Sequence, residues 1–132
     1  MKFVTTYYGQ VTGKKNSKMI AVNRYTGKPF VRMNDKAKEQ EKEMVEDFRF
    51  DKKVARLRDE DLVGKRFRVE MEIWNKDRRK HDLDNQVSTV LDALVKAEVL
   101  PDDSAETVWY VSAEYMGVDK KMPRVKVVLD IA

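Results

Sequence analysis

Between Arg66 and Trp74 apolar and polar residues alternate without a break. Phe67, Val69, Met71 and Ile73 fall on one side of the chain, and Arg68, Glu70 and Glu72 on the other. A period of two is the signature of a strand buried on one face. Further on, Val87, Val90, Leu91, Leu94 and Val95 recur at three- and four-residue spacing, which gathers them on one side of a helix, and Pro101 breaks that pattern. Ala37, Met44, Val45 and Phe48 form a sparser stripe on a highly charged segment. They predict a helix capped by Asn34 and reaching Arg58. Lys2 to Tyr8, Val108 to Tyr115 and Arg124 to Ile131 are rich in β-branched and aromatic residues and predict strands. Lys18 to Arg24 predicts an edge-like strand, with Thr26-Gly27 as a turn before Phe30-Val31-Arg32. Met44, Met71 and Met116 are expected to fill the core. The order is roughly β-β-α-β-α-β-β. It predicts an α+β fold in which two main helices pack on a mixed or antiparallel sheet.

Composition narrows the chemistry. The chain has 132 residues, 42% of them hydrophobic, and no repeat or linker divides it, so one domain over residues 1–132 is expected. No apolar run is long enough for a membrane span, and Met1-Lys2-Phe3-Val4-Thr5 lacks the character of a signal peptide. A cytoplasmic location is the expectation. There is no cysteine, which excludes disulfides and thiolate metal sites. A single histidine, His81, excludes a multi-histidine zinc site within one chain. Any bound metal must be held mainly by oxygen, which favours Mg²⁺, Mn²⁺ or Ca²⁺.

The net charge of +4 is modest, but the cations cluster. Lys14, Lys15, Lys18, Arg24 and Lys28 occur in a stretch without an acid. Lys76, Arg78, Arg79 and Lys80 face Asp77 alone, and Lys120, Lys121, Arg124 and Lys126 lie near the C-terminus. A solvated basic surface explains any one such cluster; three on a chain this small point to nucleic-acid phosphates.

Beside the second cluster stand Asp82 and Asp84. In an extended segment an i, i+2 pair shares a face. At the start of the Val87–Val95 helix the positive helix end favours both charges, and the two can converge on one cation. Asn85 is placed to orient a carboxylate or a water. Read alone, Asp84 is a helix cap and Asp82 a loop acid. Asp102 and Asp103 follow the helix, in a stretch from Glu98 to Glu106 that holds four acids and no base. A polar turn is the ordinary explanation; an unneutralised acid pair also calls for a cation. A helix of about 13 residues spans roughly 20 Å, so Asp103 rejoins Asp84 only if the chain near Leu100 to Ser104 folds back. Carboxylates beside a basic run suit a place where a cation meets a phosphodiester. His81 adjoins Asp82, within reach of a phosphate contact. Trp74, Trp109, Tyr110 and Tyr115 are read as core or sheet-face residues.

The run Asp77-Arg78-Arg79-Lys80-His81-Asp82-Leu83-Asp84-Asn85, followed by Leu91-Asp92-Ala93-Leu94-Val95-Lys96-Ala97 and Leu100-Pro101-Asp102-Asp103, resembles the RusA family of Holliday junction resolvases. The match is weaker through the strands on either side and loose in the N-terminal third. The resemblance implies a homodimeric, Mg²⁺-dependent endonuclease, Mn²⁺ serving as an alternative metal. It would resolve four-way DNA junctions by paired symmetric nicks in recombination and repair. Such enzymes are bacterial and often encoded by phages or prophages. The family's essential acids map onto Asp82, Asp84 and Asp103, and the preference for Asp103 over Asp102 comes from the family pattern alone. Lys14, Lys15, Lys76, Arg78, Arg79, Lys80 and His81 are the expected DNA contacts, with Asn85 and Asp102 in support. Two departures stand out. Ser88 replaces a family lysine, for which Lys14, Lys15 or Lys80 would have to substitute, and His81 occupies a position that is commonly arginine. The Ser88 departure favours an alternative, a non-catalytic protein that binds branched DNA through the same basic surface.

Overall fold

The computed structural model describes residues 1–13, 18–33 and 35–132. The segments follow as β1 (Lys2–Tyr8), β2 (Lys18–Val22), β3 (Pro29–Met33), α1 (Asp35–Val54), α2 (Asp59–Leu62), β4 (Phe67–Asn75), α3 (Leu83–Lys96), β5 (Val108–Val118) and β6 (Arg124–Ile131). Four strands make one sheet in the order β1-β6-β4-β5, while among the described residues β2 and β3 pair only with each other. The β4–β5 pair is parallel and the other pairs are antiparallel. The fold is therefore α+β with a mixed sheet, as the pattern predicted. No helix among the described residues is long and apolar enough to cross a membrane.

The alternation on β4 is realised residue by residue. Phe67, Val69, Met71 and Ile73 are buried, and the intervening residues are half-buried. β6 matches it with Val125, Val127, Leu129 and Ile131, and β1 with Phe3 and Tyr7. α1 covers this face through Met44 and Phe48, and α3 through Val90, Ala93 and Leu94. Each fully buried aliphatic side chain of this kind contributes roughly 1.5–3 kcal/mol. Thr5 is the polar exception on β1. Its hydroxyl donates to Asp51 Oδ2 at 2.6 Å, which ties α1 to the sheet.

Three expectations need correction. The first long helix ends at Val54 rather than Arg58. Arg56 takes a left-handed conformation, φ 57°, and the Leu57 N–H turns back to the Lys52 carbonyl at 3.1 Å. That is how a helix commonly terminates, but with arginine where glycine would have signalled it. The short α2 that follows was not anticipated; it buries Leu62. Met116 is not core filler. It lies on β5, 39% exposed, because β5 is an edge strand of the sheet. The proposed Asn34 cap falls outside the described residues.

β4, α3 and β5 decide the geometry of the site. Parallel neighbours require a crossover, and α3 supplies it. It leaves the Asn75 end of β4 and delivers the chain to Val108, which pairs with Phe67 at the other end.

Candidate metal and nucleic-acid site

Asp82 is the N-cap residue of α3, in an extended conformation, and the Gln86 N–H donates to its carbonyl at 3.1 Å. Its carboxylate makes no capping bond to the helix backbone. An aspartate at this position ordinarily uses its side chain for that purpose. Here the carboxylate instead accepts from Asn85 Nδ2 at 3.3 Å and stays exposed. Asp84 sits in the first turn of the helix, also exposed. Both charges therefore stand at the positive end of α3 with access to solvent. Ser88 is exposed, one turn further along.

The basic loop reaches this point from β4. Asp77 shapes it. Its Oδ1 accepts the Arg79 N–H at 3.0 Å, and this bond, reinforced by Arg79, Lys76 and His81, holds the Asp77 carboxyl below the usual carboxylate range. Lys76, Arg78, Arg79 and Lys80 remain exposed. Between the loop and α3 lies an open pocket of about 390 Å³, lined by Asn75, Arg78, Arg79, Lys80, His81, Leu83, Gln86 and Tyr115. His81 Nε2 is buried without a hydrogen-bond partner among the described residues, 3.7 Å from Asp77 Oδ1. The C-terminal basic cluster joins the same end of the sheet, since the Asp119 N–H donates to the Asn75 carbonyl at 2.8 Å. Lys120 and Lys121 follow in that turn, exposed. The pattern of the sequence did not predict that these two clusters meet.

A polar network underneath also went unanticipated. Asn75 and Gln86 are buried. Asn75 Oδ1 accepts from both Gln86 Nε2 and Gln10 Nε2 at 2.8 Å. Gln86 Nε2 also donates to the Val11 carbonyl at 2.9 Å, and the Lys76 N–H donates to Gln10 Oε1 at 2.7 Å. The start of the basic loop and the start of the acidic helix are thus fastened to the 10–13 segment. Gly13 completes the fit. A β-carbon there would lie 2.6 Å from Cβ of Asn85, so the backbone packs where no side chain has room. The signal was present: Asn75 continues the buried alternation of β4 at a position where an apolar residue belongs, and a buried amide needs partners. Lys14 and Lys15, the next residues along, lie outside the described residues.

Asp103 is elsewhere. The loop after α3 does not fold back. Glu98 adopts φ 60° and the Val99 N–H caps the helix on the Leu94 carbonyl at 3.0 Å. The Val108 N–H then bonds the Ser104 carbonyl at 2.8 Å, and the Phe67 N–H bonds the Thr107 carbonyl at 2.7 Å. Asp103 therefore sits at the Phe67 end of the parallel pair. Asp82 and Asp84 sit at the Asn75 end, and the 14 residues of α3 between them amount to about 20 Å. Among the described residues no group of three His, Asp or Glu side chains lies close enough to hold a metal ion. Asp102 and Asp103 differ from one another as well. Asp102 is used by its own turn, with the Ser104 side chain and the Asp103 N–H, at 2.8 Å, holding its carboxyl low.

The aromatics divide. On the sheet face away from the helices, Trp74 lies 3.8 Å under the Arg124 guanidinium and Tyr110 lies 4.0 Å from that of Arg68. Tyr115, half exposed, is the one that lines the pocket. Comparison with known proteins finds no matching family model and no matching curated protein.

Proposed function

We propose that this chain is a RusA-like, Mg²⁺-dependent endonuclease that resolves four-way DNA junctions as a homodimer, each site drawing acids from two chains. The observation that carries this reading is the Asp82 carboxylate. It occupies an N-cap position without capping, exposed beside Asp84 and next to a loop of four exposed cations. An acid pair set among phosphate-binding residues suits the task of bringing a cation to a phosphodiester.

The residues fit a hard divalent cation. Mg²⁺ takes oxygen ligands, commonly one or two carboxylates with the remainder from water and phosphate. Asp82 and Asp84 supply the two, and Asn85 orients the first. When bound, the cation would neutralise the phosphodiester's charge and favour attack by water. Lys76, Arg78, Arg79 and Lys80 hold the flanking backbone, and the Asn75–Gln86–Gln10 network fixes the loop relative to the helix.

The third acid is supplied by a second copy. β5 is the longer of the sheet's two edge strands, eleven residues against seven for β1, and Trp109, Val111, Tyr115, Met116 and Val118 are exposed along it. A long apolar edge invites pairing. A two-fold axis normal to the sheet would pair two β5 strands antiparallel and keep both α3 helices on one face. The Asp103 end of each chain then meets the Asp82 end of the other. Charge agrees, since residues 97–107 contain Glu98, Asp102, Asp103 and Glu106 without a Lys or Arg, and they would face the basic loop. The small residues Ala93 and Ala97 offer no second dimer surface, for both are buried within the chain.

The test is incubation with a mobile four-way junction and Mg²⁺. Symmetric paired nicks that are lost in Asp82→Asn are the expected result. No nicking, or nicking that survives the substitution, overturns the reading. Ser88 supports the second reading, a junction-binding protein without catalysis, which predicts binding in EDTA and no cleavage with any divalent metal.

A further inference from the structure

The hairpin of β2 and β3 is the part of the molecule least explained by its own fold. It is a two-stranded sheet separate from the other four strands, and an isolated hairpin is marginal in water. Ile20, Val22 and Phe30 are 73, 64 and 45% exposed. Its turn is nevertheless well built. Asn23 Oδ1 accepts the N–H groups of Tyr25 and Thr26 at 2.8 and 3.1 Å. The Asn23 carbonyl accepts the Gly27 N–H at 2.9 Å, and the Asn23 N–H donates to the Lys28 carbonyl at 3.0 Å. Gly27 takes φ 69°, which glycine alone adopts freely. The result is a firm tip that presents Tyr25 at 97% exposure. The charge is one-sided. Arg24 and Lys28 are exposed at the hairpin's turn, and in the sequence no acid precedes Asp35.

We infer that this hairpin is a nucleic-acid-binding arm, with its cations on the phosphate backbone and Tyr25 stacking on an unpaired base. A two-stranded ribbon has the width to enter a major groove. An exposed ring at a firm tip suits stacking on a base freed at a branch point. The uncompensated positive charge selects a polyanion over a neutral or basic protein partner. The inference takes only the identity of the polymer from the reading above, and it needs neither metal nor cleavage.

The experiment measures binding of the full chain in EDTA to a fluorescent four-way DNA junction and to a plain duplex of the same arm sequence, across salt concentration. Arg24→Ala/Lys28→Ala should lower the slope of log affinity against log salt by about two, close to one per lost phosphate contact. Tyr25→Ala should weaken junction binding roughly tenfold and leave duplex binding nearly unchanged, while Tyr25→Phe keeps the ring and binds as the parent does. Unchanged circular dichroism shows that the fold is intact. The inference is overturned if the two alanine variants bind both DNAs like the parent. It is also overturned if they lose binding to phosphatidylserine vesicles and not to DNA. A chain that never cleaves would refute the endonuclease reading and leave these binding results standing.

Discussion

The two ends of α3 are built by the same device and left with opposite charge. At the Asn75 end, Asp77 bends the loop by accepting the Arg79 N–H, and Asp119 bends the neighbouring turn by accepting the Met122 N–H at 3.1 Å. Each acid is consumed by its turn, and Lys76, Arg78, Arg79, Lys80, Lys120 and Lys121 are left exposed. At the Phe67 end, Asp102 does the bending, and Asp103, with no local base, is left over. One acid shapes each turn and its neighbours are free for other work. A basic end carries two acids and an acidic end carries the third, about 20 Å apart on one helix; the proposed dimer would bring these unlike ends of two chains into contact.

The most severe test of that comparison is complementation. Asp82→Asn and Asp103→Asn should each lower the cleavage rate on the order of 10³-fold, since several kcal/mol of transition-state stabilisation disappears. If the acids act across chains, an equimolar mixture regains activity. One hybrid site is doubly mutated, and the other is intact. The mixture should nick one strand of the junction without its symmetric counterpart. Mixtures as inactive as their components would refute the sharing of acids between chains and break the comparison. Next in size is the contrast within the turn. Asp102→Asn should keep most of the cleavage and loosen only the loop, because its carboxylate is occupied by Ser104 and the Asp103 N–H. Equal losses for the two variants, measured as initial rates on the same junction, would remove the distinction drawn between them.

How much of this was readable beforehand depends on the range of the interactions. The β4 alternation and the α3 stripe were legible because they express one element facing one core. The direction of β5 was not, since side chains alternate with period two in parallel and antiparallel strands alike. The helix terminators at Arg56 and Glu98 were hidden because non-glycine residues occupy left-handed positions there. Asp82 and Asp84 were legible as a pair through their nearness to each other and to the basic run. Their separation from Asp103 was only half legible. The helix rise stated the distance to be overcome, but only the course of the 97–107 loop shows that the chain does not return. The amide network was not legible because Gln86 is polar and lies one residue before the predicted apolar stripe, which does not reveal that α3 turns it inward.

That network gives a smaller, sharper test of the basic end. Gly13→Ala places a β-carbon 2.6 Å from Cβ of Asn85, and crowding of this kind costs about 1–3 kcal/mol. Asn85 and its bond to Asp82 must then shift. The expected outcome is a stability loss in that range by urea denaturation, together with a fall in cleavage rate greater than unfolding explains at the assay temperature. Junction affinity in EDTA should hold, since the cations stay on their loop. A variant as stable and as active as the parent would mean that the 10–13 segment does not position the acids.

The smallest effect concerns the turn at Asp119. Arg124 Nη1 donates to Asp119 Oδ2 at 2.8 Å, and this pairing, with the Met122 N–H, lowers the Asp119 pKa from its ordinary 3.8. A lowered folded value fixes the sign. The contribution to stability is fully present above the ordinary value and fades as pH falls through the lowered one. The same guanidinium lies over Trp74 at 3.8 Å, so loss of its anchor is visible in indole fluorescence. In a Trp109→Phe background, acid titration should change Trp74 emission with a midpoint below 3.8, and Asp119→Asn should abolish that step. Because both groups are partly solvated, the accompanying stability change is small. A midpoint above 3.8, or a step that persists in Asp119→Asn, would show that Asp119 does not hold Arg124 in place, and the claim that one acid shapes each turn would fail at the basic end.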